Sequence, residues 1–325
     1  MRVVISDDFQ DCVRHLDCFS KLAHHDVRIY NDNVKGTDAL AERFAGADAI
    51  VLTRERTRID ASLLERLPRL RMISQTGKLA AHVDLQACTD RGIVVADGSG
   101  AGSATAELTW ALMLTSRRHL LEEATRLKSG LWQGHLGQQL HGQRLGVWSY
   151  GRIGRQVAAY GRAFGMKVWV WGRETSTEAA RQDGFEVAPS REEFFAQSDV
   201  VSLHVRLNNE TTGIVTGQDL RRMKPTALLV NTSRAELIAA GALLAALRSG
   251  SPGFAAVDVY ESEPVLGASH PLLQLPNVLC TPHIGYVEKD NFERYFGMAF
   301  DNINAFANAS LLHYVNSDAL GKISR

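Results

Sequence analysis

Three polar side chains late in the chain have the types needed for proton and anion chemistry. Arg234 closes Asn231-Thr232-Ser233-Arg234, Glu263 lies in the run from Asp258 to Pro264, and His283 sits in Thr281-Pro282-His283-Ile284-Gly285. An imidazole exchanges protons near neutral pH, and a guanidinium grips a carboxylate through a two-bond fork. Taken singly, each also has an ordinary reading: a surface arginine, one of several loop acids, a histidine satisfied in a turn. A fourth feature is the run Leu145-Gly146-Val147-Trp148-Ser149-Tyr150-Gly151-Arg152-Ile153-Gly154. It reads as a strand, a tight turn and the start of a helix. In such a G-x-G-x-x-G turn the middle glycine lets backbone approach a pyrophosphate and the last lets helix pack on strand. The anion then lies at the helix N-terminus, where unpaired N–H groups favour negative charge. Here Ser149 replaces the first glycine, so Gly151 and Gly154 carry the pattern.

The elements around this turn complete the βαβ unit of a dinucleotide site. A helix over residues 152–164 and a strand at 167–171 follow, and the strand's end should bear the acid that bonds the ribose 2′-hydroxyl of NAD. The chain reads Trp171-Gly172-Arg173-Glu174 there. Without the acid, nothing repels a 2′-phosphate, and Arg173 is suited to bind one. NADP is therefore favoured over NAD. The alternative leaves Arg173 solvated and turns Glu174 toward the ribose of NAD.

The wider pattern positions both features on parallel sheets. Short apolar runs at 3–6, 27–30, 49–53, 72–74 and 93–96 alternate with helical stretches near 11–22, 38–44, 61–67 and 83–91, which implies βαβ units. A second alternation places strands at 145–149, 168–171, 200–205, 228–231, 254–259 and 278–281. These are apolar on both faces, as in a sheet covered on both sides by helices. Between the two lie a Gly/Ser/Ala-rich passage at 97–103 and a long helix over 104–128. After His283 a last helix at 291–307 returns to the first domain. The expected architecture is α/β, with two doubly wound parallel-sheet domains. A Rossmann cofactor domain (residues 99–286) is inserted into a flavodoxin-like substrate domain (1–98 with 287–325). Arg234, Glu263 and His283 follow late strands, at the edge where open α/β sheets bind ligands.

The 325 residues are 45% hydrophobic and 22% charged, and 36 Lys plus Arg balance 36 Asp plus Glu. That composition suits a globular protein and excludes a net basic field for nucleic acid or an anionic membrane. No run is long enough to cross a bilayer and no signal-peptide pattern opens the chain. Cys12, Cys18, Cys88 and Cys280 form no C-x-x-C pair, which predicts reduced thiols in a cytoplasmic protein. No metal centre is expected.

In order and surroundings, the motifs at 231–234, 258–264 and 281–285, with the glycine turn, resemble the D-isomer-specific 2-hydroxyacid dehydrogenase family. That family includes phosphoglycerate dehydrogenase and glyoxylate/hydroxypyruvate reductase, and the resemblance spans nearly the whole chain, to Tyr314-Val315-Asn316. It implies hydride transfer between a nicotinamide cofactor and C2 of a small 2-keto or 2-hydroxy acid. Arg234 would hold the substrate carboxylate and polarise the carbonyl, His283 would be the general acid or base, and Glu263 its partner. The chemistry agrees, since a cation and a proton donor stabilise the charge that grows on a ketone oxygen during reduction.

By the same resemblance Arg152 and Ile153 would cap the pyrophosphate and Asp258 would meet the nicotinamide carboxamide. Thr232 and Ser233 would line its pocket, with Thr105, His204, Val205 and Gly285 also near the cofactor. The carboxylate-binding loop would fall at residues 77–81, including Lys78 and Leu79. Leu79 and Ala81 depart from the family's usual glycine and Asn/Asp, and Ala235 from the glycine after the arginine, which bears on substrate size and loop shape. Arg54 and Arg56, on the loop after the strand at 49–53, could reach an anionic substrate group, but a solvated surface role is favoured for both. The helix over 104–128 resembles the family's dimer-forming element, implying a homodimer. With the site expected in the cleft between the two domains, hinge closure around substrate is expected, through the passages near 98–103 and 285–289. The rival readings are a cofactor-sensing corepressor and a phosphite dehydrogenase. Glu263 argues against a third, formate dehydrogenase, which has glutamine there.

Overall fold

The computed structural model describes residues 1–310 and 314–322. The chain forms two compact units, Met1–Ala101 with Glu288–Arg325, and Gly102–Val287. The crossings thus fall a few residues from those read off the sequence.

In the first unit, β1 (Arg2–Ile5), β2 (Asp26–Ile29), α1 (Thr37–Arg43), β3 (Ala49–Leu52), α2 (Ala61–Leu64), β4 (Met72–Gln75), α3 (Leu85–Asp90) and β5 (Val94–Ala96) follow in turn. The five strands are all parallel, in the order β2-β1-β3-β4-β5. This is the flavodoxin-like doubly wound order. β3, β4 and β5 are buried along their full length, which is why they read as continuous apolar runs rather than alternating ones.

The second unit runs α4 (Ser103–Arg118), α5 (Leu120–Lys128), β6 (Arg144–Trp148), α6 (Arg152–Ala163), β7 (Lys167–Trp171), α7 (Glu174–Gln182), β8 (Glu186–Val187) and α8 (Arg191–Gln197). It continues with β9 (Val200–Leu203), α9 (Gly217–Arg222), β10 (Leu228–Asn231), α10 (Ala242–Ser249), β11 (Phe254–Val257) and β12 (Val278–Cys280). Its seven strands lie in the order β12-β11-β10-β9-β6-β7-β8 and are parallel throughout. The order reverses at β6, so the glycine turn after β6 opens at the switch point where such sheets bind ligands. Separate apolar cores cover the two faces, one around Phe194, Phe195 and Leu229, the other around Met113, Val157 and Val230.

The chain then returns to the first unit in α11 (Lys289–Ala307). There the Ser74 hydroxyl donates to Ala299 O at 3.0 Å. The Glu293 carboxylate accepts from the backbone N–H groups of Asp17 and Cys18 at 2.7 and 2.9 Å.

Three expected elements differ. The stretch at 11–22 is two short 3-10 turns, Val13–His15 and Asp17–Leu22, parted by Leu16 in an extended conformation. The Asp8 carboxylate takes the N–H groups of Cys12 and Val13, which have no acceptor within a first turn, and the interruption itself lies at Leu16. The single helix over 104–128 is broken at His119, whose φ of 51° is left-handed, a conformation that ends helices. With no glycine or proline there, the break leaves no mark in composition. β8, two residues long, is too short to show periodicity.

Candidate active site

The glycine turn has the geometry its spacing implies. Ser149 stands in the left-handed region at φ 77° and donates its N–H to Trp171 O at 2.7 Å, tying the turn to β7. A Cβ on Gly154 would lie 2.2 Å from Ser149 O, so only glycine lets α6 close on β6. A Cβ on Gly151 would meet nothing within 4 Å. Gly151 is therefore not required by the protein's own packing; its bare backbone faces open space at the N-terminus of α6. No side chain caps that helix end. Arg152 is exposed with its stem against Gly102, whereas Ile153 packs on the core below.

At the end of β7 a Cβ on Gly172 would come within 3.5 Å of Ser149 Cα. Arg173 and Glu174 beyond it are exposed at the start of α7. At the end of β9 the His204 N–H donates to Trp148 O at 3.0 Å, and its Nε2 meets the Ser202 hydroxyl at 2.9 Å. Nδ1 is buried and has no partner among the described residues. Burial lowers the His204 pKa to about 4, so the ring is neutral at pH 7. Val205 follows it, half-buried. An open glycine cradle at a helix N-terminus, a last glycine that admits no side chain and an orphaned imidazole nitrogen together fit a dinucleotide.

Two further loops form the polar part of the site. After β10, the Ser233 hydroxyl donates to Leu203 O at 2.8 Å, and the Thr232 hydroxyl meets that of Thr109 at 2.7 Å. Arg234 is extended and half-buried, and its Nη1 donates to Ser233 O at 2.7 Å. After β12, the His283 loop hangs on Asp258, which is fully buried. Its carboxylate accepts from the Thr281 hydroxyl at 2.6 Å and from the N–H groups of Ile284 and Gly285 at 2.9 and 2.8 Å. Burial raises the Asp258 pKa against these bonds. The Thr105 hydroxyl donates to Gly285 O at 2.9 Å from α4.

His283 itself is left-handed at φ 52°, and its Nδ1 lies 2.6 Å from Glu263 Oε2. Glu263 Oε1 accepts from the Tyr260 N–H at 3.0 Å, which orients the carboxylate. Their side chains are 17% and 24% exposed, so the pair is partly shielded from water and strengthened. With Nδ1 engaged, the nitrogen left for proton exchange is Nε2.

The site residues from 105 to 285 thus gather along one edge of the seven-stranded sheet. Lys78 and Leu79 belong to the first unit. There Asp97 accepts from Lys78 Nζ at 3.0 Å and from the Leu79 N–H at 3.1 Å, fixing the loop. Gly77 is left-handed at φ 79°, and a Cβ on it would collide with the Arg54 guanidinium. Arg54 is not the solvated arginine expected: its side chain is 16% exposed and lies over the Tyr295 ring. Packing on an aromatic face holds it in place. Arg56 is likewise half-buried, over Phe9. Sequence reasoning missed the supports Thr109 and Tyr260 and the side chain of Asn231. The spacing of Thr105 and Thr109, four apart on one helix face, was the available signal.

A family model, the NAD-binding domain of D-isomer specific 2-hydroxyacid dehydrogenases, matches residues 110–285. The chain belongs to the D-isomer specific 2-hydroxyacid dehydrogenases, and it is an oxidoreductase of that class. Among its relatives, the glyoxylate reductase of Aeropyrum pernix is 36% identical over 304 residues, 90% of this chain and 89% of that protein. A Ralstonia solanacearum structure provisionally named D-3-phosphoglycerate dehydrogenase oxidoreductase has 50% identity and a TM-score of 0.95, covering 98% of both chains. The phosphoglycerate oxidoreductase of Vibrio cholerae o395 has 48% identity and a TM-score of 0.93, over 95% of this chain and all of that one. Among the described residues, no helix is long and apolar enough to cross a membrane.

Proposed function

We propose that this dehydrogenase interconverts a small 2-keto acid and its D-2-hydroxy acid, with Arg234, Glu263 and His283 as its catalytic residues. The observation that carries the reading is the 2.6 Å pair of His283 and Glu263 on the same sheet edge as Arg234 and the open glycine turn. In reduction, the nicotinamide dinucleotide supplies the hydride that C2 accepts. The Arg234 guanidinium holds the carboxylate and draws electron density toward the carbonyl oxygen. His283 Nε2 delivers the proton that this oxygen takes, and Glu263 stabilises the imidazolium before the transfer. In oxidation the same nitrogen takes the proton back. Asp258 and Thr105 keep the His283 loop at its station.

Gly151, Arg152, Ile153 and Gly154 would hold the pyrophosphate. Thr105, His204, Val205, Thr232, Ser233, Asp258 and Gly285 would line the rest of the dinucleotide site. NADP is the favoured form, because Gly172 offers no carboxylate to a ribose and Arg173 stands exposed at the N-terminus of α7. Lys78 and Leu79 would contribute to substrate binding. Glyoxylate is the first candidate, from the names of relatives such as that of Aeropyrum pernix, and hydroxypyruvate the second, from the family resemblance. A cytoplasmic homodimer completes the reading, and the four free cysteines suit a reducing compartment.

The test is absorbance loss of NADPH and of NADH with glyoxylate, hydroxypyruvate, pyruvate and phenylpyruvate, for wild type and Arg173→Ala. Turnover is expected, with the variant losing NADPH affinity more than NADH affinity. An unchanged NADPH to NADH ratio would return Arg173 to the solvent, and silence with every keto acid despite bound dinucleotide would favour a sensor.

A further inference from the structure

Arg234 sits on a loop that packing alone does not hold. A cavity of about 270 Å³ lies against this loop, bordered by Asn231, Ala235, Ile238, Val257 and Leu272. Ala235, the residue after Arg234, borders that cavity, so the loop faces open volume on that side rather than dense core. Hydrogen bonds must supply what van der Waals contact does not.

Two of them come from the side chain of Asn231, the last residue of β10, which is 1% exposed. Its Nδ2 donates to Arg234 O at 2.8 Å, and its Oδ1 accepts from the Ser233 N–H at 3.0 Å. One planar amide thereby ties down the 232–233 and 234–235 peptide groups, bracketing the segment that carries Arg234. The Asn231 carbonyl also accepts from the Asp258 N–H at 3.0 Å, and Asp258 anchors the His283 loop. Asparagine suits this double duty because it carries a donor and an acceptor on one short rigid group.

We infer that Asn231 is the positioning residue that sets where the Arg234 guanidinium stands relative to His283, and that it acts on substrate through Arg234 alone. This rests on the proposed role of Arg234. Asn231→Ala removes both arms of the clamp and leaves the glycine turn intact. It is expected to raise KM for glyoxylate and the dissociation constant of oxamate, a keto-acid analogue, at least tenfold. The dissociation constant of NADPH should change less than threefold, because Ser233 keeps its hydroxyl bond to Leu203 O.

A general structural role would also weaken turnover, so the deciding measurement is a double-mutant cycle with Arg234→Ala. With the guanidinium gone, adding Asn231→Ala should change oxamate binding and kcat/KM less than twofold. An equal loss in both backgrounds overturns the inference while leaving the dehydrogenase reading intact. If Asn231→Ala fails to fold, Asn231→Ser is carried through the same cycle with the same criteria. A wild-type protein that reduces no keto acid and binds no oxamate overturns the reading and the inference together.

Discussion

At the scale of residues, His283 and His204 illustrate two uses of the same side chain. His283 is paired with Glu263 through Nδ1, a setting for a ring that must carry a proton. His283→Gln is expected to lower kcat by about 10²–10⁴-fold, the usual worth of a positioned acid or base. Its NADPH dissociation constant, read by fluorescence titration, should not change. Loss of both together would mean that the residue supports the fold rather than the reaction.

His204 is buried as the neutral ring, with a pKa of about 4 against an ordinary 6.5. Between those values the unfolded chain binds a proton that the folded chain refuses, so stability rises with pH across this window. The stability is fully present above pH 6.5 and is lost as pH falls toward 4. The thermal midpoint should therefore drop between pH 7 and 4.5 by less in His204→Gln than in wild type. Equal drops would show that other groups govern the acid limb.

At the scale of elements, the two glycines after β6 separate packing from binding. Gly154→Ala places a Cβ against backbone at Ser149 O, so both the thermal midpoint and dinucleotide affinity should fall. Gly151→Ala meets no protein atom within 4 Å, so its midpoint should hold while dinucleotide affinity falls at least tenfold. Calorimetry and titration on the two variants check this, and a destabilised Gly151→Ala would place the turn wrongly.

Much of the fold was legible because buried parallel strands are apolar end to end; β10 begins and ends at the residues the pattern implied. The motifs at 231–234 and 281–285 were legible because arginine, histidine and glycine stand in local runs. Other features depend on tertiary partners that local sequence does not reveal. Leu16 interrupts residues 13–22 in an extended conformation, His119 breaks a helix without glycine, and Tyr260 orients Glu263 through its N–H. Arg54 read as solvated because its ring partner, Tyr295, lies far along the chain.

At the scale of the whole molecule, α5 and the segment after it leave apolar surface uncovered. None of the residues in α5 is buried, and Leu127, Leu131, Trp132 and Leu136 are 60%, 51%, 74% and 96% exposed. Apolar residues so concentrated mark an association surface, the one the proposed homodimer would cover. Wild type should scatter light as a dimer at micromolar concentration, and Trp132→Glu with Leu136→Glu should shift it to monomer. A wild-type monomer would remove the assignment.

The placement of α11 has a consequence for how the protein is made. The first five strands leave the ribosome early, yet the helix that packs on β4 and takes up Asp17 and Cys18 is encoded after the whole second unit. At ordinary rates of elongation the nascent sheet waits roughly 10 to 40 s for that helix. The unit begun first is therefore finished last, and until then its sheet lacks the cover that α11 supplies.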